Sequence, residues 1–408
     1  MSQWPVYTGR TAPHDGITDL PPPPPWRAFD GGPALETPVD DGATTSPDRA
    51  HRARTYRATD EAVQLVNAAL YLRRPLLITG PPGSGKSSLA YAVARELRLG
   101  PVLRWNITSR STLHDALYQY DPLSRLYAAG RAARDEIVRP RTRAQGASHA
   151  PGTPVASRAP HGPKAPQSPP PTQSQHPPYL PHLPQPSQPS QPSQPSHETT
   201  TPDETAAPVD RAGVADHLRL GPLGTALLPY ARPRALLIDE IDKSDLDLPN
   251  DLLNVLEEGQ YEIPELLRVA KRTPRATLLT DGTDTPVTVE KGRVRCRAFP
   301  FVVLTSNGER EFPPAFLRRC VTLRLRQPRD EHLEEIVRAH LGEPDAYARG
   351  LITRFLERGA GGELATDQLL NAIYLTGAAG LDGDSRDELA QQLMPYLSTA
   401  TDTGRNAF

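Results

Sequence analysis

Two kinds of apolar pattern alternate along the chain as far as residue 327. From Val63 to Leu72, apolar residues recur every three or four positions, which predicts a helix capped by Thr59 or Asp60. Short unbroken apolar runs are instead typical of buried strands. Further helices are predicted at 89–97 and 249–258, and strands at 76–78, 102–106, 235–238 and 301–304. A further strand is predicted at 321–325, where apolar and polar residues alternate. Strands separated by helices favour an α/β fold whose parallel sheet is sandwiched by helices.

The pattern changes in two places. Residues 287–294 flank Lys291-Gly292 and predict a hairpin turn. After residue 327 only helical spacings remain, and they predict four helices, at 330–341, 346–357, 366–375 and 385–398. We therefore expect a small all-helical lid, residues 328–400, to follow the α/β part of the chain.

Proline divides the chain further. Of its 47 prolines, 10 fall in residues 1–50 and 18 in residues 151–210. Proline removes a backbone donor and favours extended chain, so such stretches do not build a packed core. We expect a disordered or loosely draped arm at 1–54 and a disordered insert at 140–209, where Gln-Pro-Ser is repeated four times. The α/β domain is then split between 55–139 and 210–327, and residues 401–408 form a tail.

Charge and cysteine content exclude few classes of protein. The formal net charge of −2 gives no global reason to expect nucleic acid or an anionic membrane as partner. Two cysteines, Cys296 and Cys320, cannot build a disulfide framework and fit a reducing compartment. Neither a signal peptide nor an apolar run of about 18 residues is present. A cytoplasmic protein without membrane insertion is the expectation.

The strongest chemical signal is a glycine-rich turn between a predicted strand and a predicted helix. Its glycines allow backbone N–H groups to surround phosphate oxygens, while Lys86 reaches the terminal phosphates and Ser87 can ligate Mg²⁺. The alternative is a structural turn with an incidental lysine, but the chain has only five lysines. The expected nucleotide-binding residues here are Gly80, Pro81, Pro82, Gly83, Ser84, Gly85, Lys86, Ser87 and Ser88.

Two carboxylates end the strand predicted at 235–238. Asp239 is placed to hold Mg²⁺ together with Ser87, and Glu240 to polarise the water that attacks a γ-phosphate. Acidic residues at a strand end are, by themselves, more often helix caps or solvated side chains. The glycine-rich turn upstream favours the phosphoryl-transfer interpretation, because both halves of such a site are then present in one sheet.

Two further segments carry polar side chains suited to the same chemistry. Asn307 follows the strand at 301–304, where a neutral amide can bind the attacking water or the γ-phosphate without adding negative charge. Arg318 and Arg319 precede another strand, and in ring-shaped nucleotide hydrolases such arginines reach into the neighbouring subunit's site. The alternatives are an ordinary turn asparagine and a solvated arginine pair.

Together these segments resemble an AAA+ ATPase, most closely the MoxR-like group in the clade with an insert in its second helix. The resemblance runs from about residue 56 to residue 392, without the proline-rich insert. The matching segments are Gly80–Ser88, Leu236–Asp242, Leu304–Asn307 and Pro313–Cys320, which correspond to Walker A, Walker B, sensor 1 and the arginine-finger segment. Arg319 matches the finger better than Arg318. Asn106 is similar in position to the residue that restrains the Walker B glutamate in many members.

The resemblance implies a function that the residues by themselves do not. It implies a Mg²⁺- and ATP-dependent homo-oligomeric ring, usually a hexamer, that remodels or chaperones proteins, often beside a partner with a von Willebrand factor A domain. Gln368 stands where the sensor 2 arginine is expected, and the insert is either a tether for a partner or a spacer. Two alternatives remain open: a nucleic-acid translocase of the restriction type, which uses GTP, and an ATP-gated assembly switch.

Overall fold

The structure is a computed structural model that describes residues 4–10, 12–40, 42, 44–138, 213–328, 330–358, 365–378 and 383–394. Residues 131–210 separate from the rest of the chain as a unit of their own, of which the structure describes 131–138. The predicted insert, 140–209, and the predicted tail, 401–408, lie outside the described residues.

Eleven strands lie within the described ranges: β1 (Leu76–Thr79), β2 (Leu103–Asn106), β3 (Tyr118–Tyr120), β4 (Leu218–Leu220), β5 (Ala235–Asp239), β6 (Gln260–Glu262), β7 (Arg275–Leu279), β8 (Pro286–Glu290), β9 (Arg293–Arg295), β10 (Phe301–Ser306) and β11 (Val321–Arg324). The same ranges hold thirteen α-helices: α1 (Pro47–Thr55), α2 (Asp60–Leu72), α3 (Lys86–Glu96), α4 (Leu113–Leu117), α5 (Pro122–Val138), α6 (Pro222–Ala226), α7 (Leu248–Glu258), α8 (Pro264–Val269), α9 (Pro314–Leu317), α10 (Asp330–Leu341), α11 (Ala346–Arg358), α12 (Thr366–Ala378) and α13 (Gly383–Leu393).

The predicted parallel sheet is confirmed. Its five strands pair in the order β11-β1-β10-β5-β2, and every pairing is parallel. In β5, Leu236 and Ile238 join the core on one face of the sheet, whereas Leu237 joins the core on the other. Burial on both faces explains why the three central strands, β1, β10 and β5, are continuous apolar runs, whereas the edge strands β2 and β11 also carry exposed polar residues. All five carboxyl ends lie along one edge, where the glycine-rich turn, Asp239, Glu240 and Asn307 stand, whereas Arg318 and Arg319 precede β11 at the opposite edge.

A second sheet, which the sequence does not predict as a whole, contains six short strands in the order β3-β4-β7-β8-β9-β6. Its expected part is the hairpin between β8 and β9, where Glu290 pairs with Arg293 around a turn at Lys291 and Gly292. Both turn residues have positive φ, 51° and 66°. Most of its strands are only three to five residues long and alternate buried with exposed positions, so each carries a weak signal.

The described part of residues 1–54 is packed against the α/β domain, which corrects the prediction of a disordered arm. Val6 and Tyr7 are buried, and their backbone N–H groups donate to the Asn67 side chain in α2 at 2.8 and 2.9 Å. Ser46 caps α1, which packs along α3. Proline-rich composition does not reveal such an arm, because its backbone groups find partners in residues that are distant along the chain.

The four predicted lid helices are present as α10 to α13, although α13 begins at residue 383 and its expected end, 395–398, lies outside the described residues. They enclose a core of their own around Leu351, Phe355 and Leu369, each 1% exposed or less. Among the described helices, none is both long and apolar enough to cross a membrane.

Candidate functional site

The glycine-rich turn connects β1 to α3 and needs its glycines for steric reasons. Gly83 and Gly85 have φ values of 73° and 83°, in the left-handed region that side chains other than glycine rarely adopt. A Cβ at Gly80 would lie 2.4 Å from the carbonyl oxygen of Leu325, which follows β11. The turn therefore packs closely against the segment that follows β11. Its backbone N–H groups come directly before the N-terminus of α3, and a helix N-terminus favours anions.

Lys86 is buried at the start of α3 and folds back over the turn. Its Nζ donates to the carbonyl oxygens of Gly80 and Pro81, each at 2.8 Å. Burial lowers the pKa of Lys86, and the nearby carboxylates, Asp242 most of all, partly offset that effect. The ammonium therefore lies at the turn, close to carboxylates on the neighbouring strand ends.

The turn also contains a polar atom that suits a phosphate oxygen. Ser84 Oγ is buried and has no hydrogen-bond partner among the described residues. Since a buried hydroxyl without a partner is costly, its position within a loop of three glycines fits a bound anion. The residues present therefore fit the phosphates of a nucleotide.

Asp239 ends β5 at the centre of a hydrogen-bond network. Its Oδ1 accepts from Ser87 Oγ at 2.7 Å and Thr305 Oγ1 at 2.6 Å, and its Oδ2 accepts from Arg104 Nη2 at 2.7 Å. Burial raises the pKa of this carboxyl, but the bonds from Thr305, Ser87 and Arg104 outweigh it and hold the pKa below its usual value. Asp239 is therefore an anion next to Ser87, which is the pair expected to hold Mg²⁺.

The donor set fits magnesium only in combination with a phosphate. Within the described ranges, no group of three or more His, Cys, Asp or Glu side chains could hold a metal ion without further ligands. Mg²⁺ is commonly bound by one or two carboxylates together with substrate phosphates and water. One carboxylate, Asp239, and one hydroxyl, Ser87, match that arrangement.

Glu240 stands beside Asp239 in a strained backbone conformation. Its φ is 63°, which is uncommon for a residue with a side chain, and its N–H donates to Thr305 Oγ1 at 2.9 Å. Its Oε2 accepts from Lys243 Nζ at 2.8 Å. The backbone of Glu240 is thus fixed by β10, while its half-exposed carboxylate is paired with a lysine at the mouth of the site.

Asn307 follows β10 and is positioned by Asp242. Asp242 Oδ2 accepts from the backbone N–H of Asn307 at 2.9 Å and from that of Glu309 at 3.3 Å. The Asn307 side chain donates to Glu309 Oε1 at 3.5 Å. Asp242 Oδ1 is buried without a hydrogen-bond partner among the described residues. One carboxylate therefore fixes the loop that carries the Asn307 amide.

These side chains line a cavity of about 770 Å³, which we call the turn cavity. Its other walls come from α1 and the segment after it, from the end of β11, and from the lid. Four arginines are among the lining residues: Arg52, Arg57, Arg324 and Arg326. The lid contributes His332, Ile336, His340 and the first residues of α12. Of these arginines, Arg52 belongs to the arm and Arg57 follows it, while Arg324 ends β11 and Arg326 follows that strand.

Four residues singled out in the sequence outside the glycine-rich turn do not line the turn cavity. Gln368 accepts the N–H of Ala365 at 3.4 Å and so caps the start of α12. Arg318 Nε donates to Pro314 O at 3.2 Å, and Arg319 pairs with Glu257 at the end of α7. Asn106 pairs with Asp239 in the strand register but also lies outside the cavity lining.

Sequence analysis missed three residues that the structure places at the site. Arg104 lies two positions before Asn106, on the same face of β2, and reaches Asp239. Thr305 contacts both Asp239 and Glu240 from the end of β10. Asp242 lies three positions after Asp239. Because residues two positions apart lie on the same face of a strand, the choice of Asn106 could also have indicated Arg104. Nothing in the local sequence distinguishes Thr305 from the other residues of its strand.

Residues 76–119 match the model of the family described as ATPase family associated with various cellular activities (AAA). Similar solved structures include two of NtrX from Brucella abortus. The one in complex with ADP is 12% identical, covers 86% of this chain and has a TM-score of 0.33. The other is 11% identical, covers 87% of this chain and has a TM-score of 0.32. The chain spans 55% of the length of each NtrX structure. No curated protein matches the sequence. The matched residues include β1, the glycine-rich turn, α3, β2 and α4, so in this part of the chain the protein is similar to the AAA ATPase family.

Proposed function

We propose that the chain is a Mg²⁺-dependent ATPase of the AAA+ type. One observation carries the proposal: Lys86, Asp239 and Asn307, which follow three adjacent strands of one parallel sheet, line the same cavity of about 770 Å³. That volume lies within the usual range for small-molecule and cofactor sites. The carboxyl edge of an open α/β sheet is also where such folds bind their ligands.

Each residue has a part that its contacts support. The N–H groups of the turn, Ser84 Oγ and Lys86 would bind the phosphates, and Ser87 with Asp239 would hold Mg²⁺. When bound, Mg²⁺ would neutralise negative charge on the phosphates. Asn307, fixed through its backbone by Asp242, would direct its amide at the terminal phosphate.

Glu240 would orient the attacking water and accept its proton. Its backbone is held by Thr305, which keeps the side chain at the edge of the cavity. Its ion pair with Lys243 competes with a water molecule for the same carboxylate oxygen. Both partners are close to half exposed, so the pair is weak and opens readily.

Charge compensation would not depend on the lid. Gln368 has no charge and caps α12, so it does not replace a sensor 2 arginine. Arg52 and Arg57 from the arm, and Arg324 and Arg326 from the end of β11, line the turn cavity instead. We assign the neutralisation of the triphosphate to these four side chains.

The working form would be a homo-oligomeric ring. Arg318 and Arg319 lie outside the lining of their own chain's turn cavity and are partly exposed, which suits a contribution to a neighbouring subunit. A hexamer of the MoxR-like kind, acting on a protein client beside a von Willebrand factor A domain partner, is the form that the motif resemblance favours. Stimulation of hydrolysis by a protein partner supports this form, whereas stimulation by a polynucleotide supports a translocase.

The test separates binding from hydrolysis. Calorimetry with ATP, GTP and Mg²⁺ measures binding, and phosphate release measures turnover. We expect Lys86→Ala to abolish binding, and Glu240→Gln to bind normally while turnover falls by about 10²-fold or more. Lys291→Ala, in the β8–β9 hairpin, is the control and should change neither value. Absence of binding heat in the unmodified chain would overturn the proposal, and unchanged turnover in Glu240→Gln would remove the role of Glu240.

A further inference from the structure

A second cavity, of about 180 Å³, lies against β2 away from the turn cavity. Its lining includes three arginines from three different parts of the fold: Arg49 in α1, Arg104 in β2 and Arg234 just before β5. Asp281, in the turn between β7 and β8, is the single carboxylate among the lining residues. We call this space the arginine cavity.

Buried donors without partners concentrate at the arginine cavity. Arg234 is 1% exposed, and its guanidinium lies over the Tyr230 ring, 5.1 Å from the centroid. Its Nη2 donates to Pro101 O at 3.0 Å, whereas Nε and Nη1 make no well-formed hydrogen bond within the described ranges, where Tyr230 is their neighbouring polar side chain. Arg104 Nε and Thr44 Oγ1 have no hydrogen-bond partner among the described residues. These four atoms belong to three residues that line one small cavity.

Such an arrangement is costly without a ligand. A buried donor that lacks a partner destabilises the folded state, and it does so more strongly when it belongs to a charged group. A buried guanidinium also needs a counter-charge, and burial lowers the pKa of Arg234. Asp281 is the single carboxylate that lines this cavity with three arginines, and it interacts with Arg219 as well as with Arg234, so positive charge is in excess there.

We propose that the arginine cavity binds a small oxyanion with the chemistry of inorganic phosphate. The guanidinium groups of Arg49, Arg104 and Arg234 would supply positive charge and N–H donors, which is the combination that recognises phosphate oxygens. At about 30 Å³ per liquid water molecule, the cavity has the volume of roughly six waters, which admits a five-atom oxyanion but no nucleotide. The proposal does not depend on ATP hydrolysis at the turn cavity.

The position of Arg104 links the two cavities. One of its nitrogens, Nη2, bonds Asp239 Oδ2 at 2.7 Å, while the residue also lines the arginine cavity. An anion bound at Arg104 Nε would share this guanidinium with Asp239, which accepts from Nη2. Phosphate binding would therefore bear on a residue that contacts the carboxylate to which we assign magnesium.

The first experiment locates the anion directly. Crystals of the full chain are soaked in selenate, whose anomalous scattering marks an oxyanion of phosphate shape. We expect density within hydrogen-bond distance of Arg234 and Arg49, whether or not a nucleotide occupies the turn cavity. Selenate found at the glycine-rich turn but not in the arginine cavity would overturn the proposal.

The second experiment measures affinity in solution by calorimetry with inorganic phosphate and with sulfate, using ADP-saturated protein so that the turn cavity is blocked. We expect a Kd of about 1 mM or tighter. Arg49→Ala, on a partly exposed helix, and Arg234→Met should each weaken binding at least tenfold. Arg232→Ala, close in sequence but paired with Asp15 outside the cavity, is the control and should stay within twofold.

Two outcomes in solution would overturn the proposal. If Arg49→Ala and the control Arg232→Ala bind phosphate with equal affinity, the arginine cavity does not bind the anion. Crystal density without measurable binding in solution would identify an adventitious ion only. Arg49→Ala keeps the test valid even if the buried Arg234→Met variant fails to fold.

Discussion

Gly83, in the glycine-rich turn, lies against the first residues of the lid helix α12. Its φ of 73° favours glycine, and a Cβ at this position would lie 2.8 Å from Ala365 Cβ and 3.1 Å from Thr366 N. The turn and the start of α12 are therefore packed so closely that there is no room for a methyl group. Because of this close packing, a movement of the lid would displace the loop that would hold the phosphates.

We expect Gly83→Ala to lower the free energy of unfolding by about 1–3 kcal/mol and to weaken nucleotide binding, because strain and a steric clash act together. Urea denaturation and calorimetry measure the two effects. Gly350→Ala in α11, where a Cβ meets nothing within 4 Å, is the control and should be neutral or stabilising by up to about 1 kcal/mol. Equal effects of the two substitutions would contradict this account of Gly83.

His340, in the lid, bonds His51 in α1 with 3.1 Å between Nδ1 and Nε2. Burial and the nearby His51, Arg57 and Arg52 lower the pKa of His340 to about 4. An unfolded chain titrates its histidines near 6.5. Between these values the unfolded state binds more protons than the folded state, so the contact between the lid and α1 loses stability as the pH falls.

The corresponding measurement is the melting temperature between pH 7 and pH 5. Wild type should lose more stability over this range than His340→Phe, because the variant has no imidazole to protonate at this contact. His332→Phe, on the same helix, should keep the wild-type pH dependence. If His340→Phe and wild type respond to pH alike, protonation of His340 does not govern this contact.

At the scale of elements, Arg27 joins the arm to the ends of two helices. Its guanidinium donates to Arg73 O at the end of α2, at 2.6 Å, and to Leu256 O and Glu257 O in the last turn of α7, each at 3.1 Å. It also lies over the ring of Phe299, 4.6 Å from the centroid. Helix C-termini leave carbonyl groups without partners, and Arg27 satisfies three of them.

Arg27→Ala should therefore destabilise the protein by about 2–4 kcal/mol, since it removes several charge-assisted hydrogen bonds and leaves buried carbonyls unpaired. Chemical denaturation measures the change. Arg10→Ala, on an exposed part of the arm, should change stability by less than about 0.5 kcal/mol. A loss below 1 kcal/mol in Arg27→Ala would show that the arm contributes little to the fold.

At the scale of the whole molecule, the proposed ring would place Arg319 at the nucleotide site of a neighbouring subunit. In one chain it pairs with Glu257, so a role in a neighbouring subunit requires that ion pair to open. Both side chains are 43% exposed, so the ion pair is weak and little free energy is needed to open it.

We expect Arg319→Ala to bind ATP with normal affinity but to hydrolyse it at least tenfold more slowly, because the arginine stabilises charge that develops during the reaction. Mixing Arg319→Ala with Glu240→Gln should restore part of the activity, since some sites in mixed rings combine an intact glutamate with an intact arginine. Phosphate release in the mixture, compared with each variant alone, measures the recovery. The absence of recovery would place Arg319 outside the neighbouring site.

The sequence by itself determined the parts of the protein that depend on neighbouring residues. Unbroken apolar runs predicted the three central strands of the parallel sheet, because strands buried on both faces need apolar side chains at every position. The edge strands β2 and β11 were predicted from apolar residues interrupted by polar ones. Gly80 to Ser87 predicted the turn, because its conformation requires glycine at fixed spacings. Helical spacing after residue 327 predicted the lid. The roles of Glu240, Asn307 and Arg319 are predictions, and the variants above test those of Glu240 and Arg319.

Only the tertiary structure decided which distant residues meet. Arg104 reaches Asp239 across 135 positions, the arm's Arg27 reaches α7 across about 230, and short strands from separate segments form the second sheet. It also placed Gln368 at a helix cap and four arginines around the turn cavity. Such contacts leave no local pattern, because their energy depends on burial and on partners that the chain brings together only when it folds.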